Sequence, residues 1–203
     1  MITRPSPWAH RVAAIATAVL PLALSPNAAH AEALPKVGNN GERLVWQRDE
    51  VAVCIDDAAN AIQDLPQHLR TAFLTWAAVP SIPTFELWRD RCDVVITLSD
   101  NLAGRDDALA ICGLAYASTT GLARATITIN PRYFESIGDA TVDPSAYDLP
   151  SILAHELGHA LGLEDDLDDA TATMYGTTSR GDVAQRTLAE GDVDAITAQY
   201  LIR

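Results

Sequence analysis

The sequence predicts an α+β domain in which a twisted, mixed five-stranded sheet carries packed helices. Three observations point there. Five short apolar or β-branched runs fall between residues 51 and 130, one helical stripe interrupts them, and helical patterns dominate after Pro150. Strands therefore crowd the first half of the chain and helices the second.

"VAVCI" (51–55) is a β-branched run that reads as the first strand. Leu65, Leu69, Ala72, Phe73 and Trp76 then recur at helical spacing, with Asp64 placed to cap the helix and Pro66 in its first turn. "TFELW" (84–88) and "DVVITL" (93–98) read as strands, the second apolar enough to be central. "LAYAS" (114–118) and "ATITIN" (125–130) are two more, joined by a turn containing Gly121. From Pro150 a helix carries Leu153, Leu157, Ala160 and Leu161 on one face, and Gly162 is placed to end it. In the last helix Thr187 and Glu190 have capping-box spacing, and Val193, Ile196 and Tyr200 line the expected buried side.

The first 31 of the 203 residues have the order of a secretory signal peptide: Arg4 and Arg11, an apolar run from Val12 to Leu24, then "AHA" at 29–31. Pro21, Pro26 and the shortness of the run argue against a membrane anchor, which needs about 20 apolar residues. Residues 32–203 then form one domain, exported to a secreted or periplasmic location and expected to be monomeric, with no membrane span. Losing Arg4 and Arg11 takes the net charge from -13 to -15, which excludes phosphate backbones as natural partners. No second domain, repeat or low-complexity tract is visible, and Glu32 to Arg43 reads as a loose arm. Cys54, Cys92 and Cys112 suit one disulfide and one free thiol, with all three pairings open; none has CxxC spacing.

The chemistry begins at "HELGHALGLED" (155–165). On a helix His155 and His159 project from one face, one turn apart, so both imidazoles reach one zinc at roughly 2.0–2.1 Å. Glu156 lies beside the first of them, positioned to take a proton from water at the metal and pass it to a departing amine. Only three histidines follow residue 31, and two of them occupy these positions. Gly162 allows a sharp turn, Asp165 follows it by three residues, and Met174 comes nine residues later.

With Asp165 where HExxHxxGxxH places its last histidine, the chain resembles a metzincin metalloprotease, and snapalysin-type enzymes are similar in carrying Asp there. "TAFLTWAAV", "CDVVITL", "LAYAS", "ATITIN", "LPSILAHELGHALGL", "TMYG" and "LAEGDVDAITAQY" also follow the segment order of matrixin catalytic domains. The resemblance implies a zincin fold with an active-site helix, a Met-turn and a C-terminal helix. It implies one catalytic zinc on His155, His159 and Asp165, Glu156 as general base, and Met174 as a floor under the metal. Leu114, Ala115 and Tyr116 would belong to an edge strand that pairs with a protein or peptide substrate. Residues 176–186 would wall the pocket beside the scissile bond.

The chain also departs from the family pattern. Two neutral imidazoles and one carboxylate leave a site charge of +1 rather than +2, so the bound water is less acidified. Outside the motif only His68 remains after residue 31, which leaves no ligands for the structural zinc of matrixins. Calcium has candidate oxygens in Asp100, Asp106, Asp107, Asp139, Asp143 and Asp148, but their spacing matches no EF-hand loop, and surface carboxylates without calcium are the favoured reading. A long pro-domain has no room before the first strand, so a thiolate latency switch is not expected. Gly176 stands where some metzincins place a zinc-binding Tyr, and Tyr175 is given no catalytic role. The alternatives to an exported zinc endopeptidase are a gluzincin-type peptidase using Glu190 and a catalytically silent zinc or interaction module on the same fold.

Overall fold

Val51, Ala52 and Val53 are fully buried, as are Val94, Ile96 and Ile127; such runs bury both faces of a strand, the mark of a covered parallel sheet. The computed structural model describes residues 35–38, 41–117 and 121–201. The expected signal peptide lies outside the described residues. Within them the strands of the main sheet are β1 (Glu50–Ile55), β2 (Thr84–Leu87), β3 (Val94–Leu98), β4 (Ala110–Ala117) and β5 (Gly121–Ile129). They form one sheet in the order β2-β1-β3-β5-β4, with every pair parallel except β4 with β5. The mixed five-stranded sheet is the one expected, and β4 is an edge.

Among the described residues three α-helices accompany the sheet: α1 (Leu65–Trp76), α2 (Leu149–Ala160) and α3 (Glu190–Tyr200). The α1 stripe Leu65, Leu69, Ala72 and Trp76 is buried, and Trp76 Nε1 donates to the Ala154 carbonyl at 2.8 Å, tying α1 to α2. Asp64 does not cap α1 through its side chain. It sits at φ 53° and offers only its carbonyl, which accepts the amides of Gln67 and His68.

Four further expectations are corrected. The strand expected at 114–118 begins at Ala110, because Ala110 to Gly113 pair with Ile129 to Thr126 whatever their weak strand propensity. Gly121 opens β5 rather than sitting in a turn, at φ 73°; a Cβ there would come within 2.4 Å of the Val45 carbonyl oxygen. Ser118, the last residue of the expected strand, lies outside the described residues. The cap of α3 comes from Asp192, which accepts the Ala189 amide at 2.8 Å, and not from a Thr187–Glu190 box. Val193 is 37% exposed, whereas Ile196 and Tyr200 are buried as expected.

The arm is not loose where it is described. Lys36 donates its amide to the Gly162 carbonyl at 2.7 Å, and Pro35 bridges to Leu163. Gln199 Nε2 lies 3.0–3.3 Å from the carbonyl oxygens of Lys36, Leu44 and Gly162. The turn after α2 exposes backbone acceptors, and the arm supplies donors for them. Cys54 and Cys92 form the disulfide, leaving Cys112 as the free thiol on β4.

Candidate active site

The helix α2 starts where Asp148 stops the preceding strand. A short parallel pair, β6 (Ile137–Gly138) and β7 (Tyr147–Asp148), delivers that residue to the N-cap. Its carboxylate accepts the Ser151 amide at 2.9 Å, and Pro150 occupies the first turn, where its missing N–H costs nothing. Asp148 also accepts the Ala140 amide and a two-pronged contact from Arg186 at 2.5 and 2.7 Å. Burial alone would raise the Asp148 carboxyl, but Arg186 and the two amides outweigh it and hold it below the usual carboxylate range.

Leu149, Leu153, Leu157 and Leu161 face the core, which turns His155 and His159 to the other side. Each imidazole is locked by a backbone carbonyl: His155 Nδ1 on Thr173 O at 3.0 Å and His159 Nδ1 on Leu163 O at 2.8 Å. A carbonyl only accepts, so Nδ1 carries the proton and Nε2 presents a lone pair. Both Nε2 atoms point at Asp165 Oδ1, at 3.2 Å and 3.1 Å.

That arrangement tests whether a metal belongs here. Two imidazole lone pairs aimed at a carboxylate oxygen repel one another unless a cation stands among them. Without a cation, protons on the imidazoles take its place: their hydrogen bonds hold Asp165 well below the ordinary carboxylate range, while Asp165 and Glu156 raise His155 against the opposing effect of its burial. The ligand atoms of His155, His159 and Asp165 all lie within 4.8 Å of one another, and no other group of three metal-binding side chains occurs among the described residues. Nitrogen, nitrogen and carboxylate oxygen with room for a further ligand is a donor set that suits catalytic zinc.

The rival carboxylates are engaged elsewhere. Glu164 pairs with Lys36 at 3.5 Å, and Asp166 accepts the amides of Asp168 and Asp169. Glu190 lies exposed at the start of α3, outside the cluster. Asp139 and Asp148 hold Arg186, and Asp143 accepts from Ser145, so neither the Arg186 pair nor Asp143 presents a shared cage for calcium.

Glu156 is 5% exposed, and its Oε2 has no hydrogen-bond partner. Burial raises its carboxyl above the ordinary glutamate value, opposed by the two imidazoles. A buried, unpartnered carboxylate oxygen beside three converging donor atoms has lone pairs open to a proton, the property that a general base at this position requires.

Met174 is fully buried, with its sulfur against Gly158 of α2. Sequence reasoning missed what makes room for it. A Cβ on Gly158 would lie 2.2 Å from Met174 Sδ and 2.6 Å from Trp76, so the middle of HELGH needs a glycine. The missed partner is Asp192, whose carboxylate accepts the amides of Thr173 and Met174 at 2.7 and 3.1 Å. Only the capping position of Asp192 was legible locally, and that was assigned to another pair.

A cavity of about 390 Å³ opens beside the cluster, walled by Ile152, Tyr175, Gly176, Thr177, Thr178 and Gln185. Of segment 176–186, only Gly176, Thr177, Thr178 and Gln185 border it. Ala108 and Leu109, just before β4, and Ala110, its first residue, also line it; Leu114, Ala115 and Tyr116 lie further along β4 toward Gly121 and do not. The earlier start of β4 puts Ala110 rather than Leu114 beside the cavity, because pairing with β5 rather than local composition sets where the strand begins.

The profile of a peptidase family described as Matrixin matches residues 45–201. Matrix metalloproteinase-27 of Tupaia belangeri is 27% identical over 177 residues, covering 82% of this chain and 33% of the relative. The human Matrix metalloproteinase-27 is 26% identical over the same length and coverage. Metalloendoproteinase 1 of Glycine max is 36% identical over 96 residues, covering 44% of this chain and 28% of that protein. The chain spans about a third of the length of the curated relatives it matches.

Proposed function

Because the chain belongs to the matrixin family, we propose that it is an exported zinc-dependent endopeptidase that hydrolyses peptide bonds with Glu156 as general base. The observation that carries this is the convergence of His155 Nε2, His159 Nε2 and Asp165 Oδ1 next to the unpartnered Glu156 Oε2. The first 31 residues serve as the secretory signal, and residues 32–203 form the catalytic domain. No helix among the described residues is long and apolar enough to cross a membrane.

His155, His159 and Asp165 would hold the zinc. When bound, zinc supplies a Lewis acid that polarises a peptide carbonyl and makes water at the site a better nucleophile. The rest is the work of the chain. Thr173 O and Leu163 O keep both imidazoles in the tautomer that presents Nε2. Glu156 Oε2 accepts the proton of the attacking water and hands it to the departing amine nitrogen. The edge of β4 not used by β5 offers backbone donors and acceptors to an extended substrate, with Ala110 at its start and Leu109 just before it lining the cavity beside the cluster. Ile152 and the residues after Met174 shape the space for the adjoining side chain.

The test is Glu156→Gln in purified protein. The variant is expected to retain one zinc per chain, read by metal analysis, and to lose hydrolysis of an unstructured protein substrate. Zinc retention in the wild type with no hydrolysis of any substrate would favour the silent module instead.

A further inference from the structure

Two cations border the cleft around the candidate metal site, and they differ in one respect. Lys36 is spent on Glu164, at 3.5 Å. Arg105, on the exposed stretch before β4, has no acidic partner among the described residues, and it lines both the cavity of about 390 Å³ and a second one of about 210 Å³. The two cavities share His159 and Asp165, so Arg105 stands at the point where one passes into the other. The acidic side chains around it in the cleft are Asp107, which borders the larger cavity, Glu156, which also borders it, Glu164, which borders the smaller one, and Asp165, which borders both and faces the two imidazoles.

Resting on the peptidase reading, we infer that Arg105 makes this a peptidase for acidic sequences, by holding a substrate Asp or Glu carboxylate next to the scissile bond. A guanidinium offers a planar fork of donors that matches a carboxylate two-to-two. A peptide extended through both cavities advances about 3.3 Å per residue, so a group at their junction reaches side chains on either side of the bond being cut. Without Arg105 the cleft would keep the zinc, whose charge Asp165 partly offsets, the lysine paired with Glu164, and the Asp107 carboxylate, so a substrate carboxylate away from the metal would meet no cation free to hold it. The side chain is exposed, so its effect is a modest preference that weakens with salt.

The experiment uses the zinc-loaded chain and a set of quenched fluorescent peptides that are otherwise uncharged. Each carries Glu, Gln or Lys at one of the two residues on either side of the scissile bond, and the main readout is the Glu/Gln ratio of kcat/KM. The wild type is expected to prefer Glu by about threefold to fivefold at one of these positions. Arg105→Gln should push that ratio below one, and Arg105→Glu should make a Lys peptide better than either. A wild-type ratio of one or less at every position, or a preference that survives Arg105→Gln, overturns the inference. If no peptide is cut, it is the peptidase reading that fails. Fluorescence anisotropy of the same peptides on zinc-loaded Glu156→Gln protein then still reads the preference, and equal affinities for Glu and Gln peptides overturn it.

Discussion

The carboxylate of Asp192 accepts the Thr173 amide at 2.7 Å, and the carbonyl of that same Thr173 receives His155 Nδ1 at 3.0 Å. A residue on the last helix thereby aims a metal-facing imidazole on another helix. It also caps its own helix through the Ala189 amide, so one buried carboxylate serves three backbone donors. Burial raises this carboxyl above its ordinary value even against those donors.

Asp192→Asn keeps the volume but replaces one acceptor oxygen by an NH2 group facing backbone amides. The expected result is a loss of about 10- to 100-fold in zinc affinity, the usual cost of disturbing a residue that orients a metal-bound histidine. Competition against a chromophoric chelator measures it. Unchanged affinity would mean that His155 is aimed without Asp192.

Asp165→Ala should weaken zinc binding further, because it removes a donor atom and not merely its support. Asp165→His is the more informative change. It would raise the net charge of the loaded site from +1 to +2 and acidify its water more strongly. The acid limb of kcat/KM against pH should therefore move to lower pH than in the wild type. A limb that stays in place would show that the carboxylate does not tune the reaction.

Much of this site was legible because its signals are local. The α1 stripe, the apolar run of β3 and the His155–His159 spacing each declare themselves within one or two turns or one strand. What escaped depends on chain brought from elsewhere. The β4 register is set by β5, the arm at Lys36 is held by Gln199 from the far end of the chain, and Gly158 is required by Trp76 and Met174. The α3 cap was misread for a related reason: Thr187 and Glu190 have the right spacing, but Asp192 has partners on two elements and prevails.

Gly158→Ala inserts a methyl group where Met174 Sδ and Trp76 leave 2.2 and 2.6 Å. Alanine favours a helix by about 1 kcal/mol over glycine, so a site with space would be stabilised. Here the overpacking outweighs propensity, and a net loss of about 1–3 kcal/mol is expected from urea unfolding. A stabilised variant would contradict the packing of Met174 against α2.

The Cys54–Cys92 bond closes a loop of sequence separation 38 between β1 and the residue preceding Asp93. A crosslink of this span removes about 4 kcal/mol of freedom from the unfolded chain. The Cys54→Ala, Cys92→Ala double variant should lose most of that in chemical denaturation, whereas Cys112→Ala, at the free thiol, should change stability much less. Equal losses in the two variants would contradict the pairing.

Arg186 reaches Asp148 at 2.5 and 2.7 Å and Asp139 at 2.6 Å, binding the N-cap of α2 to the loop before it and to the segment leading into α3. Asp148 is fully buried, so Arg186→Met would leave its charge without a counterion, at a cost of about 3 kcal/mol at neutral pH. The pH dependence follows from direction. Both carboxyls titrate lower in the folded chain, Asp139 at about 2, chiefly through its Thr141 hydrogen bond and Arg186. A lowered folded value means that the unfolded chain binds protons first. The contribution is thus complete above the unfolded value near 4 and disappears as pH falls through the folded one. Wild-type stability should decline between about pH 4 and pH 2, and Arg186→Met should flatten that decline while lowering the plateau above it. Urea midpoints of both proteins across this range measure the difference, and parallel curves would remove Arg186 from the account of acid sensitivity.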